Sequence, residues 1–481
     1  MNETSMLKAM LQPKGIAVIG ASRTPGRIGY ELLKNLINYG YKGKIYPVNP
    51  NASEILGLKA YPSVLAIPDE VDTAVVIVPA NLVPQVIEEC GKKGVKVAVV
   101  ISAGFSEVGN VEEEERIVKI AKSYGVRILG PNIFGYVYTP FNINASFGPL
   151  EVVKGSIAFI TQSGALGIAL MGWTILQEIG LSALFSMGNM ADIDVVEVSE
   201  LLADDPHTRV ITIYLEGIKP GKGREFIDRM SRVSLKKPVI AIKAGVSERG
   251  ARAVASHTGS LAGVDVIYEA AFKQAGIIRV HTFQELFNVA RGLALQPLPR
   301  GENTVIITNG GGAGVLATDT AELNNVKLLE PNQELIERFR RAMPWFGSPK
   351  NPVDLTGQAV MDNYIKALKI AAESLDVDNI VIIYCRTAVL DPRELAKAIV
   401  EFYRENNVTK TTVVGMIGGA DVAEAIKYLN GNSIPTYPMV EEAIYTLSKM
   451  LWYKRYLESR VKMPPLKALA SEVMAPKRTL E

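Results

Sequence analysis

Short, uninterrupted apolar runs, each closed by glycine or proline and each followed by a helical pattern, restrict this chain more than any other feature. GIAVIG (Gly15–Gly20) ends in a glycine turn and TAVVIV (Thr73–Val78) runs into Pro79. VKVAVVIS (Val95–Ser102) meets Ala103 and Gly104, and VRILG (Val126–Gly130) meets Pro131 and Asn132. Helical stretches such as YELLKNLINYG and VPQVIEECGKKG lie between them. Strands that are apolar throughout are covered on both faces, which means parallel strands alternating with helices. Right-handed crossovers then give a doubly wound sheet.

The pattern repeats. SIAFIT (Ser156–Thr161), LSALFSM (Leu181–Met187), VITIYL (Val210–Leu215) and PVIAIK (Pro238–Lys243) form a second set of strands. After the proline-marked linker QPLPRGEN (Gln296–Asn303) come TVIIT (Thr304–Thr308), NIVIIYC (Asn379–Cys385) and TTVVGMIG (Thr411–Gly418). At 481 residues the chain exceeds one core and suits about three domains of ~150 residues. The expected divisions are 1–140, 151–295 and 302–461, with 462–481 a poorly patterned tail. IAFITQSGALGIAL (Ile157–Leu170) and TVIITNGGGAGVLA (Thr304–Ala317) share a layout: apolar strand, Ile-Thr-polar, then glycines opening a small-residue helix. That similarity suggests a duplicated unit.

Composition narrows the function. A net charge of +2 gives no field that would gather nucleic acid or acidic membrane. No run approaches the ~18 apolar residues of a membrane span, and the N-terminus lacks a signal pattern, so a cytoplasmic protein is expected. Three histidines and two cysteines, scattered along the chain, offer no ligand spacing for zinc or iron, and no metal site is expected.

Several segments could carry chemistry. In GIAVIGASRTPGRIG (Gly15–Gly29) the spacing Gly20, Gly26, Gly29 departs from the dinucleotide fingerprint, and KIYPVNPN (Lys44–Asn51) offers asparagines where a ribose-binding acid would stand. A loop with Ser22, Arg23 and Arg27 suits a ligand with several phosphates and no nicotinamide, although a plain strand-to-helix turn would also read this way. Pro79, Ser102, Gly104 and Asn132 would line the same crevice. TQSGALG (Thr161–Gly167) and TNGGGAGV (Thr308–Val315) lack the lysine of a P-loop. They would grip a phosphoryl group through backbone N–H groups and a helix dipole of roughly half a charge. Close packing of helix on strand also favours such small residues. His257, in VASHTGSLAG (Val254–Gly263), sits in what reads as a glycine-rich loop, where a neutral imidazole is a competent nucleophile. Glu216 directly follows an apolar strand, where burying an acid is costly unless it has work to do, and it could fix the histidine's tautomer.

Taken together, GASRTPGRIG, TQSGALG, YLEGI, SHTGSLAG, NGGGAGV and NPVDLTG (Asn351–Gly357), in this order, resemble the nucleoside-diphosphate-forming acyl-CoA synthetases. The likeness is strongest to the α subunits of ADP-forming acetyl-CoA synthetase, relatives of succinyl-CoA synthetase, and it spans essentially the whole chain. It implies an α/β fold of three consecutive domains with mainly parallel sheets: one Rossmann-like CoA-binding domain and two flavodoxin-like domains of the succinyl-CoA-synthetase type. By the same likeness His257 is the phosphorylated histidine and Glu216 the acid that orients it. Ser163 and Gly164, with Gly310, Gly311 and Gly312, are implied at the two helix N-termini that hold phosphate. Gly20, Ser22, Arg23, Lys44, Asn49, Pro79 and Ser102 are implied as CoA contacts. The family reaction converts acyl-CoA, phosphate and ADP to acid, CoA and ATP through an acyl phosphate and a phosphohistidine. No ATP-grasp domain is evident, so ADP and its Mg²⁺ are expected on a separate β subunit in an α₂β₂ assembly. CoA, acyl phosphate and phosphate are the expected small ligands, with no nucleic acid or membrane partner. Two other readings compete: a non-catalytic CoA- or nucleotide-sensing module, and an NAD-dependent oxidoreductase, which the glycine spacing argues against.

Overall fold

The computed structural model describes residues 3–258 and 264–462, with the backbone alone at 3–5, 255–258 and 461–462. The chain divides into two compact units, residues 1–294 and 295–481. The first contains two large sheets and the second contains one.

In the first sheet five parallel strands lie in the order Lys44–Val48, Gly15–Ile19, Thr73–Val76, Val97–Val100, Arg127–Leu129. Gly15–Ile19, Thr73–Val76 and Val97–Val100 are buried at every residue, as strands covered on both faces must be. The helices Val83–Lys93 and Val111–Tyr124 each stop at a left-handed glycine, Gly94 and Gly125, the conformation that ends a helix without strain.

The second sheet runs Ile277–Val280, Val239–Lys243, Val210–Leu215, Lys154–Thr161, Leu181–Ser186, Gly135–Tyr138, Ile143–Ser146. Gly135–Tyr138 runs antiparallel to Leu181–Ser186, and Ile143–Ser146 turns back antiparallel to Gly135–Tyr138. Their hairpin straddles residue 140, where the sequence suggested a domain end, and it belongs to this sheet. Asn35, on the helix Ile28–Asn38 beside the first sheet, donates to the carbonyls of Ser146 and Gly148, both at 2.9 Å. One continuous apolar core runs from the first sheet into the second, so these two sheets form one body.

In the second unit the order is Val353–Asp354, Thr304–Thr308, Asn379–Cys385, Thr411–Ile417, Thr436–Tyr437, all parallel. With that hairpin set aside and the remaining strands counted along the chain, all three sheets have the same order, second–first–third–fourth–fifth. In such a sheet the chain leaves its first and third strands in opposite directions, and the crevice beyond their carboxyl ends is where ligands bind.

Candidate functional site

At the first sheet's crevice, Gly20, Asn49, Pro79 and Ser102 all follow strands whose last residues are level in register: Ile19 with Val48 and Val76, and Val76 with Val100. Gly20 has φ +96°, and a Cβ there would lie 2.2 Å from the Ile77 carbonyl oxygen; a Cβ on Gly29 would lie 2.1 Å from the Gly20 oxygen. Only glycine lets the strand turn and the helix close on it. Asn49 Nδ2 donates to the Ala21 carbonyl at 2.8 Å, and Ser102 Oγ donates to the Val78 carbonyl at 2.6 Å. Ser22 Oγ accepts from the Thr24 amide at 3.1 Å, tightening the exposed loop that carries Arg23.

Lys44 does not join them. It opens its strand, level with Gly15 at the amino end, and pairs with Asp69 at 3.1 Å. A strand rises ~3.3 Å per residue, so Lys44 stands more than ~13 Å of backbone from the edge that Asn49 occupies. The family likeness, rather than the strand pattern, puts Lys44 among the CoA contacts.

The second crevice is built by a clasp. Strand Lys154–Thr161 ends beside strand Val210–Leu215, with Thr161 level with Tyr214. The Gln162 side chain, 9 % exposed, accepts from the Glu216 amide and from the Gly217 amide at 3.1 Å, and donates to the Gly217 carbonyl at 3.2 Å. Glu216 is therefore fixed at the carboxyl end of its strand, 4 % exposed. Thr161 Oγ1 accepts from the Ser163 amide and donates to the Ser163 carbonyl, both at 3.1 Å, which shapes the turn into the helix Gly164–Leu176. No side chain caps that helix, and a Cβ on Gly164 would meet nothing within 4 Å. Its first N–H groups therefore face open space with the positive end of the dipole, the arrangement that receives an anion.

The second unit repeats the clasp. Thr308 Oγ1 accepts from the Gly310 amide at 2.9 Å, and Asn309 exchanges bonds with Cys385, its Oδ1 accepting at 2.8 Å and its Nδ2 donating at 2.9 Å. In register Thr308 faces Ile383 as Thr161 faces Tyr214, so Cys385 stands where Glu216 stands in the first unit. The helix Gly311–Leu323 also lacks a side-chain cap, and Gly312 opens on free space. Gly311 is not so open: its Cβ would lie 3.0 Å from the Asp354 carboxylate.

His257 lies in the helix Glu248–Thr258, which replaces the loop expected there. Gly250 argues against a helix, and the small residues Ala251 and Ala255 give little apolar signal, so the pattern was easily missed. The His257 side chain and residues 259–263 lie outside what the structure describes. The helix follows strand Val239–Lys243, the neighbour of the strand ending at Glu216, and packs against the turn Ser106–Val108 just past Gly104 of the first crevice.

Gln162 and Lys243 were not singled out from the sequence. Lys243 carried the same signal as Glu216, a charge ending an apolar strand, whereas the role of Gln162 needs the strand register. We expect Gln162→Leu to lower stability by about 1–3 kcal/mol, the cost of leaving buried backbone groups unpaired. It should also lower turnover with little change in affinity for ligands at the first crevice. Urea denaturation beside steady-state kinetics checks both.

Among the described residues no helix is long and apolar enough to cross a membrane, and no group of three or more His, Cys, Asp or Glu is placed to hold a metal ion. The chain matches three family models in succession: a CoA binding domain at residues 14–139, a succinyl-CoA ligase like flavodoxin domain at 154–293 and a ligase-CoA domain at 304–456. It is 55% identical over 456 residues, 94% of this chain and 98% of the relative, to the acetate–CoA ligase [ADP-forming] I subunit alpha of Pyrococcus furiosus. The corresponding II subunit alpha of that organism is 45% identical over 91% of this chain and 95% of its own length. Among solved structures, the dinucleotide forming acetyl-coenzyme A synthetase 1 of Ca. Korarchaeum cryptofilum, in complex with phosphate and ADP, superposes with a TM-score of 0.92 at 50% identity, covering 95% of this chain and 99% of that one.

Proposed function

Since the chain belongs to the ADP-forming acetate–CoA ligases as an α subunit, we propose that its two described crevices divide the reaction between CoA and phosphoryl chemistry. The enzyme is an acid–CoA ligase. The observation that carries the division is the buried, clasped Glu216 beside an uncapped helix start, one strand from the helix that contains His257.

At the first crevice, the loop Gly20–Arg23 with Asn49, Pro79 and Ser102 holds CoA, its glycines admitting the phosphates close to the backbone. Phosphate held at Ser163 and Gly164 attacks the thioester carbonyl; the carbon–sulfur bond breaks, CoA leaves as thiolate, and an acyl phosphate remains. One ring nitrogen of His257 then attacks phosphorus and the carboxylate leaves. Glu216 accepts the other ring N–H, which aims the attacking nitrogen and stabilises the positive charge the ring acquires. Phosphoryl transfer asks chiefly for positioning and charge, and both helix starts, at Gly164 and at Gly310–Gly312, offer it through backbone N–H groups.

ADP and its Mg²⁺ belong in this reading to a partner β subunit with an ATP-grasp fold, in an α₂β₂ assembly, working in the cytoplasm. The described residues of this chain offer no cluster for the metal, and no step here passes through it.

The test uses the purified chain, with and without its β partner, incubated with acetyl-CoA and radiolabelled phosphate. A base-stable, acid-labile label is the expected result. Retention of CoA without label from any of a panel of acyl-CoAs, even with the β partner present, would replace the reading with a sensing role.

A further inference from the structure

We propose that Lys243 is a positioning residue of the phosphoryl-transfer site, a fixed cation that holds Glu216 in its charged form and through it the orientation of His257. The inference rests on the roles given to those two residues above.

The placement comes from the sheet. Lys243 is the last residue of its strand and is level with Leu215, so Glu216 and Lys243 leave neighbouring strands together at the carboxyl edge. The Ala244 amide donates to the Leu215 carbonyl at 2.9 Å, continuing the pairing past both. Lys243 is 4 % exposed, like Glu216. Lysine is almost never so buried unless paired, and a carboxylate buried without an opposite charge is severely penalised. The charge of Glu216 favours that of Lys243.

The lysine is also held from two sides. Its ammonium donates to the Ala244 carbonyl and lies 4.5 Å from the centre of the Tyr268 ring, a cation–π contact. The Tyr268 hydroxyl accepts from the Ile218 amide at 3.2 Å, in the same turn that Gln162 clasps at Glu216 and Gly217. Gln162 and Tyr268 thus grip the Glu216 turn from both ends, and Lys243 lies on the tyrosine that forms one of the grips.

The charged surroundings set the working range. Burial pulls the ammonium down to about 8; Asp265 on the helix Asp265–Ala275 favours the charge, Arg279 on strand Ile277–Val280 opposes it, and Glu216 favours it. Arg279 is itself occupied by Asp265 at 2.6 Å and Glu269 at 2.8 Å. Burial, with the charge of Glu216 added, pushes the neighbouring Tyr214 up to about 12, so it stays neutral through the range. A lysine needed as a cation, with its proton leaving near pH 8, makes the histidine phosphorylation fall on the alkaline side.

The experiment follows the initial rate of labelling from acetyl-CoA and radiolabelled phosphate with the β partner present, between about pH 6 and 9.5. It compares the wild type with Lys243→Met, Lys243→Arg and His257→Asn, and records each melting temperature. For Lys243→Met we expect a rate lower by on the order of 10- to 100-fold, as for groups that orient a reacting side chain. Its alkaline fall should be gone, and its melting temperature should be lower than that of the wild type, because Glu216 is left buried without that cation. Lys243→Arg should recover much of the rate and carry the fall to higher pH. Wild-type labelling by Lys243→Met overturns the inference, as does a slower rate with an unchanged pH profile. If His257→Asn still takes label, the functional reading fails and this inference with it. If His257→Asn takes none while Lys243→Met behaves as wild type, only the inference fails.

Discussion

Replacing His257 with asparagine is expected to stop ATP formation while sparing the release of CoA from acetyl-CoA by phosphate. Asparagine offers no nucleophilic nitrogen, so the phosphoryl group has no carrier and the acyl phosphate accumulates. Loss of a nucleophile that acts as part of a unit costs on the order of 10⁴- to 10⁶-fold in turnover. The helix Glu248–Thr258 tolerates the exchange, since histidine and asparagine have similar helix propensities. Structural collapse is therefore not the expected cause. Trapping the acyl phosphate as a hydroxamate, beside a coupled assay for ATP, separates the two half-reactions. Equal loss of both would mean that His257 serves binding or folding, and the carrier role would have to be withdrawn.

The second large effect is on stability. Arg127 Nε and Nη2 donate to Asp192 at 2.8 and 3.1 Å, and Nη2 also reaches Glu197 at 2.9 Å. All three side chains are largely buried, at 13%, 7% and 12% exposure. Arg127→Met strands two carboxylates away from water, and breaking a buried pair from one side costs about 3–5 kcal/mol. The sign of the pH dependence is distinctive. Burial holds the Glu197 carboxyl above its ordinary value even with Arg127 beside it. A carboxyl raised in the folded state favours folding when protonated, and that benefit is lost as pH rises through its folded pKa. Without the arginine Glu197 should be raised further, so the deficit of Arg127→Met should shrink as pH falls toward 5. Urea denaturation at several pH values reads this directly; a deficit that grows on acidification would point to a different cause. The change should reach the chemistry as well. The loop that carries Asp192 also carries Met190, whose sulfur lies 3.6 Å from Gln162 Nε2.

Much of this architecture is legible in the sequence. Runs such as Thr73–Val76 are apolar at every position because both faces are covered, and that signal survives without partners. The hairpin Gly135–Ser146 was not legible, because Asn144 and Ser146 interrupt the apolar pattern; they are satisfied by each other and by the Pro149 carbonyl. Glu216 announced itself as an acid closing an apolar strand. Gln162 could not, since a glutamine after a strand acquires meaning only when register sets another strand's turn beside it. Lys44 fails for the converse reason. The family likeness carried it into the CoA group, but a parallel strand has two ends and only one faces the crevice.

The paired clasps at Gln162 and Asn309 bear on how such a protein arises. If a single ancestral gene supplied both halves, the threonine turn and the amide grip were present before the copies parted, and the acid at Glu216 was kept or gained in one copy while the other holds Cys385. Scaffold and chemistry then descend on separate clocks. A chain that lost Glu216 in evolution would keep its crevice intact and remain free to bind what it no longer transforms.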